Sequence, residues 1–477
     1  MDNFWDSNVW NWIMTFAVLF ASLLVGNIIK KLPFIKNSLI PTSVFGGAIL
    51  LIVAAIYKAI TGNVMFDTQL FGGNGTNNLE IITYHTLALG FIASSFKTTN
   101  NKLTKKRAGE IFNTGLTTVS TYLIQAVFGL GITMIVALII TDFFSAAGIL
   151  LPFGYGQGTG QALNYGSIFE TDYGFAGGRS FGLTIAALGF LSASIGGVIH
   201  LNVMKARGKI VLSSRNDGSL HTEEIESEGE IPMQESVDKM TIQLALIVVA
   251  YAITYALMYL LGELLPGVKS VVYGFNFLFG VITATLIKLL LNFLRKKGIM
   301  KKKHTNNFLM TRVSNFFFDL MVVAGVAAIR LDALENYWGI IIILGVVGAI
   351  ITYIYNRIVA KTLFKDYYEE QFLMMYGMLT GTASTGTILL REIDGEFKTP
   401  AADNMVYQNL PAIVFGFPLM FLATLAPTKP VLTLIILFAF FLVLNVILFR
   451  NQIFRRKAVS VDVSEDAAGD ISTQAEE

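Results

Sequence analysis

The sequence predicts an all-α polytopic membrane protein, arranged as two inverted-topology repeats of five spans plus one re-entrant hairpin each, with an extra C-terminal span. Composition is the first observation behind this prediction. Of the 477 residues 54% are hydrophobic and only 14% are charged, against about 25% charged in soluble domains. The second is a pair of Gly/Thr/Ser-rich runs, at 154–166 and 377–390, that interrupt long apolar segments in the two halves of the chain.

Apolar runs long enough to cross about 30 Å of hydrocarbon as helices recur along the chain. The run at 111–140 is longer than a span requires, so we expect this helix to tilt or to project from the bilayer. The predicted spans are 9–29, 38–57, 79–96, 111–140, 180–202, 241–262, 271–291, 308–329, 337–356, 404–424 and 430–449.

Lysine and arginine are concentrated in alternate loops, which sets the orientation. Basic loops are cytoplasmic by the positive-inside rule, and the opposite loops carry only Lys58, Lys269 and Arg330. The sequence therefore predicts a multi-pass protein of the cell inner (plasma) membrane, with its N-terminus outside and its C-terminus in the cytoplasm. The basic clusters lie at 30–36, 97–107, 205–209, 295–303, 357–365 and 455–457.

The two glycine-rich runs are predicted to form re-entrant hairpins, at about 145–170 and 370–395. Non-helical backbone inside hydrocarbon costs several kcal/mol for each bare polar group, unless it faces protein or water. A matched pair of such interruptions is typical of the substrate site of a secondary transporter. The runs align directly, since Gly158, Thr159 and Gly160 match the Ser-Thr-Gly at 384–386.

The chain divides around one polar segment. Residues 1–204 form the first predicted repeat and residues 239–427 the second, while 428–457 holds the extra span. The first repeat begins outside and the second inside, so the hairpins enter from opposite sides and we expect their tips to meet near the midplane. Residues 205–238 are predicted to be an acidic cytoplasmic linker, and 458–477 a disordered acidic cytoplasmic tail.

The hairpin runs supply the candidate substrate-binding residues. Half-helix N-termini and exposed N–H groups at a tip favour an anion, and an arginine that follows the first run could pair with a carboxylate. The alternatives are close helix packing through small residues and, for the arginine, a surface salt bridge. The candidates are Gly156, Gln157, Gly158, Thr159, Gly160, Asn164, Arg179, Gly381, Thr382, Ser384, Thr385 and Gly386.

A second set of residues is predicted to bind the coupling cation. Asp319 lies within a span, where an ionisable group is costly and points to function; a position at the cytoplasmic end of the span is the alternative. Thr385 offers a hydroxyl oxygen of the kind that sodium prefers. Tyr407 and Asn409 flank a proline that would free a backbone carbonyl, although a simple kink explains that proline equally well.

Three motifs stand out: IPTSVFGGAILL at 40–51, GQGTG at 156–160 with YGF at 173–175, and the block 320–334 with its AGVAAIRLDAL. On these motifs the chain resembles the bacterial sodium/glutamate symporter family, as a distant member. The resemblance spans most of residues 10–425 and implies a homodimeric, elevator-type symporter that takes up glutamate with Na+. The chain has Gln157 where the family pattern GGHGTG has histidine, and GTASTG where the second run is richer in glycine, which leaves the substrate open.

Other function classes are less compatible with the sequence. A proton-coupled or other organic-anion carrier of the same fold stays open, because Asp319 would serve either cation. An ion channel would usually place both loops on one side of the membrane. An enzyme or a transition-metal site is not expected, since there is no cysteine and the four histidines are scattered. No cofactor besides Na+ and no nucleic-acid partner is predicted.

Overall fold

A computed structural model describes residues 7–32, 40–97, 104–211, 230, 237–266, 269–395 and 398–454. Every regular element in these ranges is helical, apart from an isolated β-bridge between Glu230 and Lys303. The α-helices are α1 Ser7–Lys30, α2 Thr42–Thr61, α3 Gly75–Ser95, α4 Lys105–Ile139, α5 Leu150–Gln157, α6 Thr159–Tyr173, α7 Gly178–Ala206, α8 Lys239–Leu264, α9 Lys269–Gly274, α10 Asn276–Lys296, α11 Asn307–Ala327, α12 Trp338–Leu363, α13 Tyr368–Thr380, α14 Ala383–Arg391, α15 Ala401–Tyr407, α16 Asn409–Leu425, α17 Pro430–Leu448 and α18 Arg450–Phe454.

The prediction of an all-α polytopic membrane protein is confirmed. Nine of the described helices are long and apolar enough to cross a membrane, and the bent pair α15–α16 makes a tenth. The predicted span 79–96 corresponds to α3, which carries Asn77, Glu80 and His85 and is less apolar. Because α3 packs against α10 and α11, much of its surface faces protein rather than lipid.

Two predicted spans differ from the observed helices for local reasons. The span predicted at 271–291 is the helix Asn276–Lys296, because the short helix α9 ends at Gly274 and the chain turns before α10. The span predicted at 404–424 is bent by 51° at Gln408. Pro411 follows the bend, and its missing N–H leaves the carbonyl of Tyr407 without a helical donor.

The helices form an interlocked bundle around α4, α11 and α12. Helix α11 packs against α2, α3 and α6, while α4 packs against α5, α12, α16 and α17. Helix α7 covers both α5 and α6 and also contacts α12 and α13. The two glycine-rich segments are therefore enclosed by long helices on several sides.

Ion pairs tie the helix ends together at one side of the bundle, called the basic face below. Arg357 of α12 forms a two-pronged pair with Glu369 of α13, with N–O distances of 2.5 and 2.6 Å. His200 of α7 lies 3.0 Å from the same carboxylate. Lys106 of α4 pairs with Asp366 at 3.2 Å. These contacts fix the beginning of α13 against its neighbours.

A second set of pairs lies at the opposite face. Arg179 at the start of α7 contacts Glu80 of α3 at 3.1 Å, and Lys58 at the end of α2 contacts Asp332 at 2.9 Å. Each pair joins segments that are distant in sequence, so ion pairs hold the helix ends together at this face as well.

The predicted linker 205–238 and the tail 458–477 lie largely outside the described residues. Glu230 is described, and it is buried at the basic face against Lys239 at 3.0 Å, Lys303 at 3.3 Å and Asn306 at 2.6 Å. Burial disfavours the carboxylate, but the hydrogen bonds from Asn306 and Lys239 outweigh it and lower the pKa of Glu230.

Glycine allows one very close helix contact, which gives a test of the fold. A methyl group on Gly148 would overlap the carbonyl oxygen of Gly129 in α4 and lie 2.8 Å from Thr133 Oγ1. We expect Gly148→Ala to destabilise the protein by about 1–3 kcal/mol, as overpacking does, which lowers the midpoint of thermal unfolding in detergent.

The matched control is Gly131→Ala, in α4 two residues after Gly129, where a methyl group meets nothing within 4 Å. Alanine is the better helix former there, so this midpoint should hold or rise. Equal midpoints for the two variants would contradict the packing of α4 against the segment before α5.

Candidate substrate and cation site

The first hairpin, hairpin 1, consists of α5 and α6. Gly158 separates them with φ 81° and ψ −172°, a backbone conformation that is essentially restricted to glycine. The two half-helices do not continue through this residue, so the tip leaves helical N–H and C=O groups without intrahelical partners.

The second hairpin, hairpin 2, consists of α13 and α14, which are separated at Gly381 and Thr382. Its two arms pack closely because both carry glycine at their contact. A methyl group on Gly386 would lie 2.5 Å from the carbonyl oxygen of Met374, and one on Gly377 would lie 2.8 Å from the Cα of Gly386. The predicted site residue Gly386 is thus a packing residue.

The tips of the two hairpins lie close together, separated by about the space of one methyl group. A methyl group on Gly158 would be 3.6 Å from Thr382 Cγ2 and 3.9 Å from the carbonyl oxygen of Gly381. Thr159 Oγ1 donates to the carbonyl oxygen of Met321 in α11 at 3.5 Å. The tips and the middle of α11 therefore converge on one point.

Several predicted residues surround this junction with different exposures. Gln157 and Thr382 are partly exposed, so a small ligand can approach the tips, whereas Thr159 is buried. Thr385 is also buried, and its hydroxyl lies 3.4 Å from that of Thr382. For Ser384 the structure places the backbone in the first turn of α14, and its side chain is outside the described part.

Two further predicted glycines, Gly156 and Gly160, lie in close helix contacts. A methyl group on Gly156 would overlap the ring of Tyr122, whose hydroxyl donates to the Gly156 carbonyl at 3.1 Å. One on Gly160 would lie 2.8 Å from Leu87 of α3. These residues bring the first hairpin close to α4 and α3, as small residues do in membrane bundles.

Asn164 and Arg179 lie away from the tips, in a cavity of about 380 Å³ near the opposite face. Asn164 Nδ2 donates to the carbonyl oxygen of Gly274 at 3.0 Å. Arg179 is paired with Glu80 at 3.1 Å and with Glu170 at 3.9 Å. The arginine is thus held by two carboxylates. Sequence reasoning missed Glu80, because this residue is distant from Arg179 along the chain.

Apart from Thr385 at the tip of hairpin 2, the predicted cation residues lie at two separate places. The carboxylate of Asp319 interacts with the Ser43 hydroxyl and with the charge of Lys30, on α2 and α1 rather than on either hairpin. Asn409 and Tyr407 flank the bend between α15 and α16, where Asn409 Oδ1 accepts from the adjacent carboxamide at 3.3 Å. Within the described ranges, no three or more His, Cys, Asp or Glu side chains could hold a metal ion together.

Sequence reasoning missed two buried carboxamides near the tips. Gln161 lies in the first turn of α6 and is 1% exposed, and neither of its polar side-chain atoms has a hydrogen-bond partner among the described residues. Gln125 of α4 is fully buried and donates to the carbonyl oxygen of Leu379 at 3.0 Å, just before the second tip. Its Oε1 would lie 3.4 Å from a methyl group on Gly156.

The model of the sodium/glutamate symporter family matches residues 9–382. The chain belongs to the sodium/glutamate symporter family. Among curated proteins, none matches the chain significantly.

The matched region of this sodium/glutamate symporter runs from α1 through the whole of hairpin 1 and ends at Thr382, at the tip of hairpin 2. It therefore includes both sides of the junction where Gly158 approaches Gly381. The family assignment confirms the resemblance that the sequence motifs indicate, and it makes the protein a membrane transporter.

The backbone at the first tip can be tested by a single methyl group. Space is available at Gly158, but its φ and ψ lie where a non-glycine residue costs about 1–3 kcal/mol. We expect Gly158→Ala to displace the tip and to reduce L-glutamate uptake at least tenfold, measured in proteoliposomes with equal amounts of inserted protein.

Gly174→Ala is the control for this variant, because Gly174 also has a positive φ of 72° but lies at the C-terminal end of α6 with nothing within 4 Å. Uptake should be nearly normal in the control. Normal uptake by Gly158→Ala as well would show that transport does not depend on the tip conformation.

Proposed function

We propose that this sodium/glutamate symporter takes up L-glutamate or a related small carboxylate by alternating access, with the substrate bound where the two hairpin tips meet. The observation that carries the proposal is the close approach of Gly158 to Thr382 and Gly381, next to α11. The partly exposed Gln157 and Thr382 provide access to this junction.

The chemistry of the tips favours an anion. Helices α6 and α14 both begin at the junction, and in the described part of the chain neither has a side chain that caps its first turn. Their first N–H groups are therefore available, and the positive ends of both helix dipoles point at the same place. A substrate carboxylate would satisfy these donors without any charged side chain.

The packing of the helices supports the inverted repeats. If α1, α2, α3 and α4 are exchanged with α8, α10, α11 and α12 in that order, each of the following helix contacts becomes an observed contact. The contacts α1–α2 and α8–α10 correspond, as do α2–α11 and α10–α3, while α3–α11 and α4–α12 map onto themselves. Two halves related in this way can expose one central site to either side in turn.

The orientation and assembly form part of the same proposal. The basic face carries the lysine and arginine clusters, so it would be cytoplasmic and the N-terminus would lie outside. An elevator-type movement and a homodimer follow from the family resemblance. Residues 1–204 and 239–427 would be the two repeats, joined by the cytoplasmic linker.

A proton-coupled carrier of the same fold is the second candidate. One observation favours it: Asp319 is an ionisable group within α11, and the residue lies at the surface of the bundle. An ionisable group within a membrane-spanning helix is costly, and such groups commonly belong to ion or proton pathways.

Uptake of labelled L-glutamate into proteoliposomes tests both candidates. We expect accumulation with an inward Na+ gradient, and none when choline replaces Na+. Accumulation driven by an inward proton gradient in the absence of Na+ would instead favour the proton-coupled carrier. No glutamate uptake under either gradient would contradict the proposed substrate, and a competition screen of other carboxylates would follow.

Gln161 gives a residue-specific prediction for the substrate site. A hydrogen bond to a charged group contributes about 1.5–3 kcal/mol, so Gln161→Leu should raise the KM for L-glutamate by about tenfold or more. Leucine removes two unpaired polar atoms without breaking an existing hydrogen bond, so the midpoint of thermal unfolding should hold or rise.

Gln371→Leu is the matched control, since this buried carboxamide is hydrogen-bonded to Thr114 and Asn404. It should lower the unfolding midpoint, because each of the two buried partners loses one of its hydrogen bonds. An unchanged KM in Gln161→Leu would remove Gln161 from the substrate site.

A further inference from the structure

A polar seam crosses the centre of the bundle where α4 meets α12. We call Thr121 and Gln125 of α4, with Thr352 and Asn356 of α12, the α4–α12 seam. All four side chains are at most 1% exposed. Polar groups buried at this depth need partners inside the protein.

The seam is held by two reciprocal hydrogen bonds. Gln125 Nε2 donates to Thr352 Oγ1 at 2.8 Å, and Asn356 Nδ2 donates to Thr121 Oγ1 at 3.3 Å. Each helix thus contributes a threonine and, one turn later, a carboxamide. The pattern is the same on both helices, which are the counterparts of each other in the proposed repeats.

The orientation of both carboxamides is fixed by backbone carbonyls. Gln125 Nε2 also donates to the carbonyl oxygen of Leu379 at 3.0 Å, and Asn356 Nδ2 to that of Thr352 at 2.9 Å. A carbonyl only accepts, so exchanging the oxygen and nitrogen of either side chain would place two acceptors against each other.

Among the carboxamide atoms of the seam, only acceptors are left without a partner. Both donors of each carboxamide are used, whereas Gln125 Oε1 and Asn356 Oδ1 are buried and have no partner among the described residues. Two unpaired oxygens with no unpaired carboxamide hydrogen suit a cation or a water molecule and exclude an anion. Neutral oxygen ligands are those that a hard cation such as Na+ accepts.

The seam also touches both hairpins. Gln125 is bonded to Leu379, two residues before Gly381 of the second tip, and its free Oε1 faces Gly156, two residues before Gly158 of the first tip. A cation on Gln125 Oε1 would therefore stabilise a carboxamide that is bonded to the second hairpin and faces the first. Cation binding and substrate binding would be coupled through this one side chain.

We propose that the α4–α12 seam binds the coupling Na+ through Gln125 Oε1 and Asn356 Oδ1. This inference rests on the proposed function and moves the cation from the sequence candidates Asp319, Thr385, Tyr407 and Asn409 to residues that nothing in the sequence singles out. Waters or backbone carbonyls would complete the coordination.

The test measures Na+ binding without substrate. The midpoint of thermal unfolding of the full chain in detergent is followed against NaCl, with choline chloride keeping the ionic strength constant. The wild type should be stabilised by Na+ in a saturable manner. Asn356→Leu should abolish this shift. Asn356→Asp should have a lower unfolding midpoint than the wild type in choline chloride, and NaCl should restore this midpoint. Its half-saturating Na+ concentration should be lower by about tenfold, which corresponds to roughly 1.4 kcal/mol of added attraction.

Asn113→Asp is the matched control, because it places the same charge on α4 beside Arg450, which contacts Asn113 at 3.2 Å. Its Na+ dependence should equal that of the wild type. If Asn356→Leu does not fold, Asn356→Asp still decides the question.

The outcomes separate the seam from the proposed function. A wild-type response to Na+ that both Asn356 variants retain would overturn the seam as the cation site and leave sodium coupling standing. No response to Na+ in the wild type would overturn sodium coupling itself, and the seam with it.

Discussion

The constraint on which the structure depends is that backbone polar groups inside a membrane must find partners within the protein. Both hairpins break their helices at the centre of the bundle, where lipid offers no hydrogen bond. The breaks are tolerated because long helices enclose them and because glycine lets the segments approach closely, as at Gly156 against Tyr122 and Gly386 against Met374. The N–H groups that remain at the tips are the natural place for an anionic substrate.

The local features of this fold were accessible from the sequence, since they depend on neighbouring residues. Apolar length predicts the spans, glycine predicts the hairpin breaks, and Pro411 predicts the bend between α15 and α16. The partners of buried polar groups were not accessible. Thr121 and Gln125 are ordinary residues within a long apolar helix, and their relation to Thr352 and Asn356 exists only once α4 and α12 cross. Arg179 pairs with Glu80 for the same reason.

The central site is built almost without charged side chains. Its polar groups are helix N-termini, hydroxyls and carboxamides. Ionic networks lie at the ends of the helices instead: Arg357 and His200 bind Glu369 and hold the beginning of α13 in place at the basic face. Removing this charge from the centre avoids the cost of burying it. Under the proposed function, charge would enter the site only with its ligands, an anion at the tips and a cation at the seam, and each would lower the cost of burying the other.

The absence of cysteine from the sequence permits the most direct test of the central claim that substrate binds between the two tips. Thr382→Cys places a single thiol at the junction, and Thr171→Cys places one on hairpin 1 nearer the opposite face. The rate of labelling by a small thiol reagent is measured in Na+ with and without L-glutamate. Glutamate should slow labelling at position 382 and leave position 171 unchanged. Equal rates at position 382 in a variant that still transports would contradict a substrate site at the tips.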